Sequence, residues 1–181
     1  MNNICPWCKS EKNHRFLKLK DYFLTQEEFE IIECDECKLL FTSPCPAQDK
    51  IGDYYKSEDY LSHNEEKKNL FARIYNIVKK TNIKNKFNIA IDSKSSAVKI
   101  LDIGCGVGDF LNYAKEKGCK ITGIEPSDDA RKIAEKKLNT KLLSPAELEN
   151  LPDNSFDIIT MWHVLEHVAD LKTEIHHLQR L

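Results

Sequence analysis

A short β-branched run, Val98-Lys-Ile-Leu-Asp-Ile103, enters directly into Gly104-Cys-Gly106-Val-Gly108, and a helical pattern follows at once. Asp109 to Lys117 carries Phe110, Leu111 and Ala114 on one face, with Gly118 as its stop. Strand, glycine loop and helix open a doubly wound α/β sheet, which binds its ligand beyond the strand's C-terminal end. The next strand, Lys120 to Ile124, ends at Glu125, 17 residues after Gly108. That is where an acid grips ribose hydroxyls in sheets of this kind.

The loop narrows the ligand further. A dinucleotide fingerprint counted from Gly104 needs Gly or Ala at position 109, which is Asp109. Asp102 stands just before the loop, and two carboxylates beside a pyrophosphate repel it. They suit a ligand carrying an ammonium and a sulfonium. No Lys follows the glycines, so a phosphate-cradling P-loop is excluded too. Taken singly, the glycines can serve a tight turn and Glu125 can be an exposed strand-end acid. Their joint spacing is what points to a cofactor.

From residue 98 the chain resembles the class I S-adenosylmethionine-dependent methyltransferases. The match runs through Leu-Asp-Ile-Gly-Cys-Gly-Val-Gly (101–108), Gly-Ile-Glu-Pro-Ser (123–127) and Ser-Pro-Ala-Glu-Leu (144–148). It continues through Leu-Pro-Asp-Asn-Ser-Phe-Asp-Ile-Ile (151–159) and Trp-His-Val-Leu-Glu-His-Val (162–168). The resemblance implies a Rossmann-like, mostly parallel sheet that binds S-adenosylmethionine. Gly104, Gly106 and Gly108 then let the backbone approach the methionine moiety, Asp102 shapes the loop, and Glu125 takes the ribose hydroxyls. Ala146 and Glu147 lie beside the adenine, although Pro145 stands where many members have Asp. Cys105, Pro126, Trp162 and His163 complete the expected cofactor set, with Tyr60 and His63 from the preceding segment.

Methyl transfer from a sulfonium needs mainly alignment of nucleophile, methyl and sulfur. A base for the acceptor's proton is the remaining requirement, and His is suited to it near neutral pH. His163, at the end of the strand Phe156 to Met161, and His167, one helical turn on, are the candidates. The competing reading is that His163 packs on the cofactor and His167 caps a helix-sheet contact. His176 and His177 lie on a later helix with the apolar stripe Leu171, Ile175, Leu178 and Leu181, and read as surface residues. Family members acting on exocyclic base amines carry an Asn/Asp-Pro-Pro-aromatic loop where this chain has Thr160-Met-Trp-His163. The resemblance therefore favours a small-molecule oxygen, carbon or nitrogen acceptor.

The N-terminal region poses a separate problem. Cys5-Pro-Trp-Cys8 and Cys34-Asp-Glu-Cys37 are two C-x-x-C knuckles with 25 residues between them. Such pairs build a tetrahedral four-cysteine zinc site, structural rather than catalytic, because no coordination position is left for water. A redox dithiol is the rival, but a second pair is present and no βαβ unit surrounds the first. Arg15 to Lys20 alternates and can pair with Phe29 to Glu33 as a ribbon. The Gly that often follows a knuckle is replaced by Lys9 and Lys38. Cys45, Cys105 and Cys119 are scattered and receive no metal.

Residues 1–45 thus read as a zinc-ribbon-like domain, 46–97 as a tyrosine-rich and helical linker, and 98–181 as the first part of a cofactor-binding domain. The stretch Asp53 to His63 reads either as a connector covering a domain edge or as an aromatic lid. Residues 66–80 carry Leu70, Phe71, Ile74, Ile77 and Val78 at helical spacing, and Asn82 to Lys94 reads as linker. Strands fall at 98–103, 120–124, about 140–143 and 156–161, whereas the family's sheet has seven. The expectation is a fragment of a longer enzyme, with doubtful turnover of its own, or else a chain completed by a partner. An exposed sheet edge favours pairing, so a homo-oligomer is a possible form.

Composition sets the outer bounds. Lys plus Arg is 27 and Asp plus Glu is 29, a net charge of −2, so binding of nucleic acid through overall charge is excluded. A zinc module and a tyrosine-rich segment before such a domain resemble bacterial methyltransferases of sugars, glycans or secondary metabolites. The alternatives are a ribosomal RNA methyltransferase that uses Lys9, Lys12, Arg15, Lys18 and Lys20 on phosphates, and a non-catalytic cofactor-binding module. No run approaches the roughly 20 apolar residues that span a bilayer, and a cytoplasmic location is expected.

Overall fold

A computed structural model describes residues 3–22, 25–45, 70–91, 97–168 and 170–181. The chain divides into two compact units, Met1–Glu66 with His167–Glu174, and Lys67–Glu166 with Ile175–Leu181.

The first unit is built on the antiparallel sheet β1 (Asn13–Lys20), β2 (Glu28–Cys34) and β3 (Leu40–Ser43), in that order. The expected pairing of 15–20 with 29–33 is present, interrupted by a bulge between Arg15 and Leu17. Apart from Asn13, β1 is exposed on both faces, so the sheet buries almost nothing on that side. Among the described residues of this unit, the buried apolar ones are Cys5, Ile32 and Cys34. Ion pairs Lys12–Glu36, Arg15–Glu30 and Lys18–Glu28, at 2.8–2.9 Å, run along it instead. Exposed pairs of this kind contribute only ~0–1 kcal/mol each. A core this small needs a covalent or metal staple.

The second unit begins with α1 (Leu70–Ala90), then alternates β4 (Lys99–Ile103), α2 (Asp109–Glu116), β5 (Lys120–Ile124) and α3 (Asp128–Leu138). A short 3-10 turn (Pro145–Asn150) leads to β6 (Ile158–Thr160); a second turn (Leu165–His167) and α4 (Leu171–Arg180) follow, of which Leu165, Glu166 and Ile175 onward belong to this unit. The strands form a parallel sheet in the order β5-β4-β6. Central β4 is buried from Ile100 to Ile103, as a strand covered on both faces must be. Its side chains alternate. Ile100 packs with Phe110, Leu111, Ala114, Ala134 and Leu138, whereas Leu101 and Ile103 pack with Ile124, Leu148 and Leu181. The doubly wound, Rossmann-like class read from the sequence is the class observed.

Several expected boundaries move. Residues 82–90, read as linker, continue α1. The half-buried positions of that helix are Lys79, Ile83, Lys86, Phe87 and Ala90, a helical stripe in which two of five residues are lysines. A stripe so polar leaves little hydrophobic signal. Conversely, Ile77 and Val78 are 65% and 51% exposed and do not form an inward face. The side chains of 70–74 lie outside the description. The strand expected near 140–143 reduces to one bridge, Ile124 to Leu143. His176 is exposed as expected, but His177 is half-buried, with its Nδ1 buried and without a partner.

Candidate cofactor site and thiolate cluster

The glycine loop hangs on the end of β5. The N–H groups of Gly104 and Cys105 both donate to the Ile124 carbonyl, at 2.8 and 3.1 Å, and Gly108 N–H closes the turn on Cys105. Gly104 sits at φ +73°, and a Cβ there would lie 2.4 Å from a Val164 methyl. Gly106, at φ +55°, faces open space with nothing within 4 Å. One glycine is needed for packing, the other leaves the backbone approachable from outside.

Glu125 ties the two strand ends together. Its Oε2 accepts from Gly106 N–H at 2.7 Å and its Oε1 from Ser127 N–H at 2.9 Å, and the residue is only 7% exposed. Each oxygen keeps a further lone pair, so the carboxylate can accept two hydroxyls. Its own N–H donates to Leu143, whose N–H donates to Gly123. This lays segment 143–147 beside the β5 end. Ala146 and Pro126 are exposed there. The Glu147 carboxylate accepts from the N–H and hydroxyl of Ser144, at 2.8 and 2.9 Å, as the third residue of a capping box.

Asp102 is almost fully buried at the base of the loop. Parallel register sets it opposite Thr160, whose hydroxyl donates to Oδ1 at 2.7 Å. Burial pushes the Asp102 carboxyl up to about 7, against the pull of that hydroxyl and of the Lys86 ammonium. Burial, reinforced by the nearby acids Asp102 and Glu125, likewise pushes the Cys105 thiol up to about 12, leaving it neutral and unreactive. Asp109 is held by Lys79 and Lys137, both at 2.7 Å.

Beyond β6, Trp162 meets Phe110 edge-on at 5.8 Å, and its Nε1 is buried without an acceptor. Lys86 of α1 lies over its ring, 4.8 Å from the centroid. His163 adopts φ +60°, and its side chain is 82% exposed, with Nδ1 3.7 Å from the Glu166 carboxylate. His167 is exposed at the end of the second 3-10 turn. Tyr60 and His63 lie outside the described residues. Sequence reasoning missed Lys86, hidden in a segment read as linker, and the role of Thr160. For the latter the sequence carried no signal, because only strand register sets Thr160 opposite Asp102.

In the first unit the Sγ atoms of Cys5, Cys8, Cys34 and Cys37 all lie within 4.8 Å of one another. Cys5–Cys37 and Cys8–Cys34 are 3.6 and 3.5 Å apart. A tetrahedron with Zn–S of about 2.3 Å has S···S edges of about 3.8 Å, so the donor set fits such an ion. The two knuckles are built alike. Lys9 and Lys38 both adopt φ near +60° and donate N–H to the carbonyls of Cys5 and Cys34. The N–H of Cys37, supported by that of Glu36, draws the Cys34 thiol down to about 7 against burial.

Residues 56–181 match the family model of a methyltransferase domain, and the chain belongs to that family. Among curated proteins, the ubiquinone biosynthesis O-methyltransferase of Hydrogenovibrio crunogenus is 34% identical over 84 residues, 42% of this chain and 35% of that protein. The protein of the same name from Actinobacillus pleuropneumoniae is 37% identical over 83 residues, 40% of this chain and 36% of that one. The chain thus spans about a third of the length of these relatives. Among solved structures, a SAM-dependent methyltransferase from Archaeoglobus fulgidus is 28% identical with a TM-score of 0.44, covering 54% of this chain and 44% of that one.

Proposed function

We propose that the second unit binds S-adenosylmethionine and serves methyl transfer to a small-molecule acceptor. The observation that carries this reading is the Glu125 carboxylate, buried at the β5 end and bonded to Gly106 N–H beside an open loop. Bound S-adenosylmethionine supplies a methyl group activated by its sulfonium. The chain's own residues do the rest. Glu125 accepts the ribose hydroxyls, the backbone at Gly106 admits the methionine portion, and Asp102 and Glu125 set a negative field that favours a cation. His163, with Glu166 three residues on, is the side chain of this unit offered to an acceptor's proton.

The acceptor class we infer is a sugar, glycan or secondary metabolite rather than RNA. Of the five cations an RNA would use, Lys9, Lys12, Arg15, Lys18 and Lys20, three are paired: Lys12, Arg15 and Lys18 with Glu36, Glu30 and Glu28. The two curated relatives are named as O-methyltransferases of ubiquinone biosynthesis, which supports a small-molecule oxygen acceptor. The Cys5, Cys8, Cys34 and Cys37 cluster we assign to structural zinc. A reducing, cytoplasmic setting fits that assignment, because the four thiolates must stay reduced to bind.

A thermal-shift comparison of nucleoside ligands tests the cofactor reading. S-adenosylhomocysteine is expected to raise the unfolding temperature of the second unit, with NAD and ATP inert, since a ligand selective for the native state stabilises it. Stabilisation by NAD or ATP, with no effect of S-adenosylhomocysteine, contradicts it.

A further inference from the structure

The amino-acid end of S-adenosylmethionine carries a carboxylate as well as its cations, and the site described so far has two acids and no counter-charge for it. Two buried or half-buried carboxylates repel a third, and an anion leaves water only when it is paired and hydrogen-bonded. The cations around the loop are largely spent. Lys79 and Lys137 hold Asp109, and Arg131 bonds the Glu125 carbonyl and the Asp128 carboxylate. Lys86 differs. Among the described residues no carboxylate lies within ion-pair distance of its ammonium, which rests over the Trp162 ring at 4.8 Å.

We propose that Lys86, steadied on the Trp162 ring face, is the counter-charge for the α-carboxylate of the bound cofactor. The proposal rests on the cofactor reading above. Three observations converge on it. Lys86 belongs to the half-buried stripe of α1, on one helical face with Lys79, Ile83 and Phe87, and its ammonium lies over the Trp162 ring. Its charge acts on Asp102, at the base of the glycine loop, without forming a direct pair with it. Trp162, beneath it, also carries a buried indole N–H without an acceptor, and that group can only donate. A lone ammonium and an unmet donor on one residue pair ask for an anionic acceptor.

The test compares two ligands on the full 181-residue chain by calorimetry. S-adenosylhomocysteine carries the amino-acid portion, and 5′-methylthioadenosine lacks it. Lys86→Gln is expected to weaken the former by roughly tenfold or more, as for loss of a charged hydrogen bond, and to leave the latter unchanged. Lys86→Arg should restore most of the affinity. Equal weakening of both ligands means that Lys86 only supports the fold, and overturns the proposal. So does unchanged binding of both. If the unaltered chain binds neither ligand, the cofactor reading itself fails, and this proposal with it.

Discussion

The Glu125 Oε2 atom accepts a 2.7 Å hydrogen bond from Gly106 N–H, joining the end of β5 to the middle of the glycine loop. The bond has a structural and a chemical effect at once. It fixes the open segment of the loop, and it holds the carboxylate in one orientation before any hydroxyl arrives. Preorganisation of this kind lowers the cost of binding rather than adding contacts.

The glycines are not equivalent. Gly104→Ala sets a methyl 2.4 Å from Val164 at a left-handed φ, so a loss of about 2–4 kcal/mol in stability is expected. Gly106→Ala has free space and carries only the strain of its φ, about 1–2 kcal/mol. Its methyl points to the open side, so it is expected to lose cofactor affinity out of proportion. Urea unfolding followed through Trp162 in a Trp7→Phe background, paired with ligand titration, separates the two.

Removing metal is expected to unfold the first unit and spare the second. Among its described residues the first unit buries the apolar side chains of Cys5, Ile32 and Cys34, whereas the parallel sheet has apolar layers on both faces. Trp7 lies inside the first knuckle and Trp162 after β6, so single-tryptophan variants report each unit separately. A chelator should change the Trp7 signal and leave Trp162 and ligand binding in place. Cobalt reconstitution should give the visible spectrum of a tetrahedral tetrathiolate, and Cys34→Ser should abolish it.

Lys9 and Lys38 pay for the turn geometry of the knuckles with left-handed backbone. Lys38→Gly is expected to stabilise the zinc-loaded unit by about 0.5–1 kcal/mol, the left-handed penalty less glycine's entropy. Lys38→Val should destabilise it. Guanidinium unfolding of the loaded chain checks both signs.

The raised Asp102 carboxyl gives a pH signature. Its usual value is near 3.8 and its folded value is about 7, so between these the folded chain holds more protons than the unfolded one. Stability of the ligand-free second unit must then fall as pH rises from about 4 to 7. Asp102→Asn is expected to flatten that slope. A cationic ligand favours the ionised form, so S-adenosylmethionine affinity should increase with pH through about 7. Proton release in buffers of different ionisation enthalpy measures this directly.

The glycine loop, its strand and Glu125 were legible because each rests on local chemistry: β-branched residues, positive φ and an acid at a fixed spacing. The cysteine knuckles were legible for the same reason. The reach of α1 was not, since Lys79 and Lys86 occupy inward positions that hydrophobic periodicity reads as outward. Nor was the work of Glu147, whose carboxylate closes a cap on Ser144 that a family motif does not distinguish from a ligand contact. Thr160 became meaningful only once register set it opposite Asp102.

Calorimetric titration of S-adenosylhomocysteine into the chain, with Glu125→Gln beside it, tests the central claim most directly. One-to-one saturable binding, weakened at least tenfold by the substitution in a chain that remains folded, is the predicted result. A folded chain that binds nothing, or that binds equally well without the Glu125 carboxylate, contradicts it.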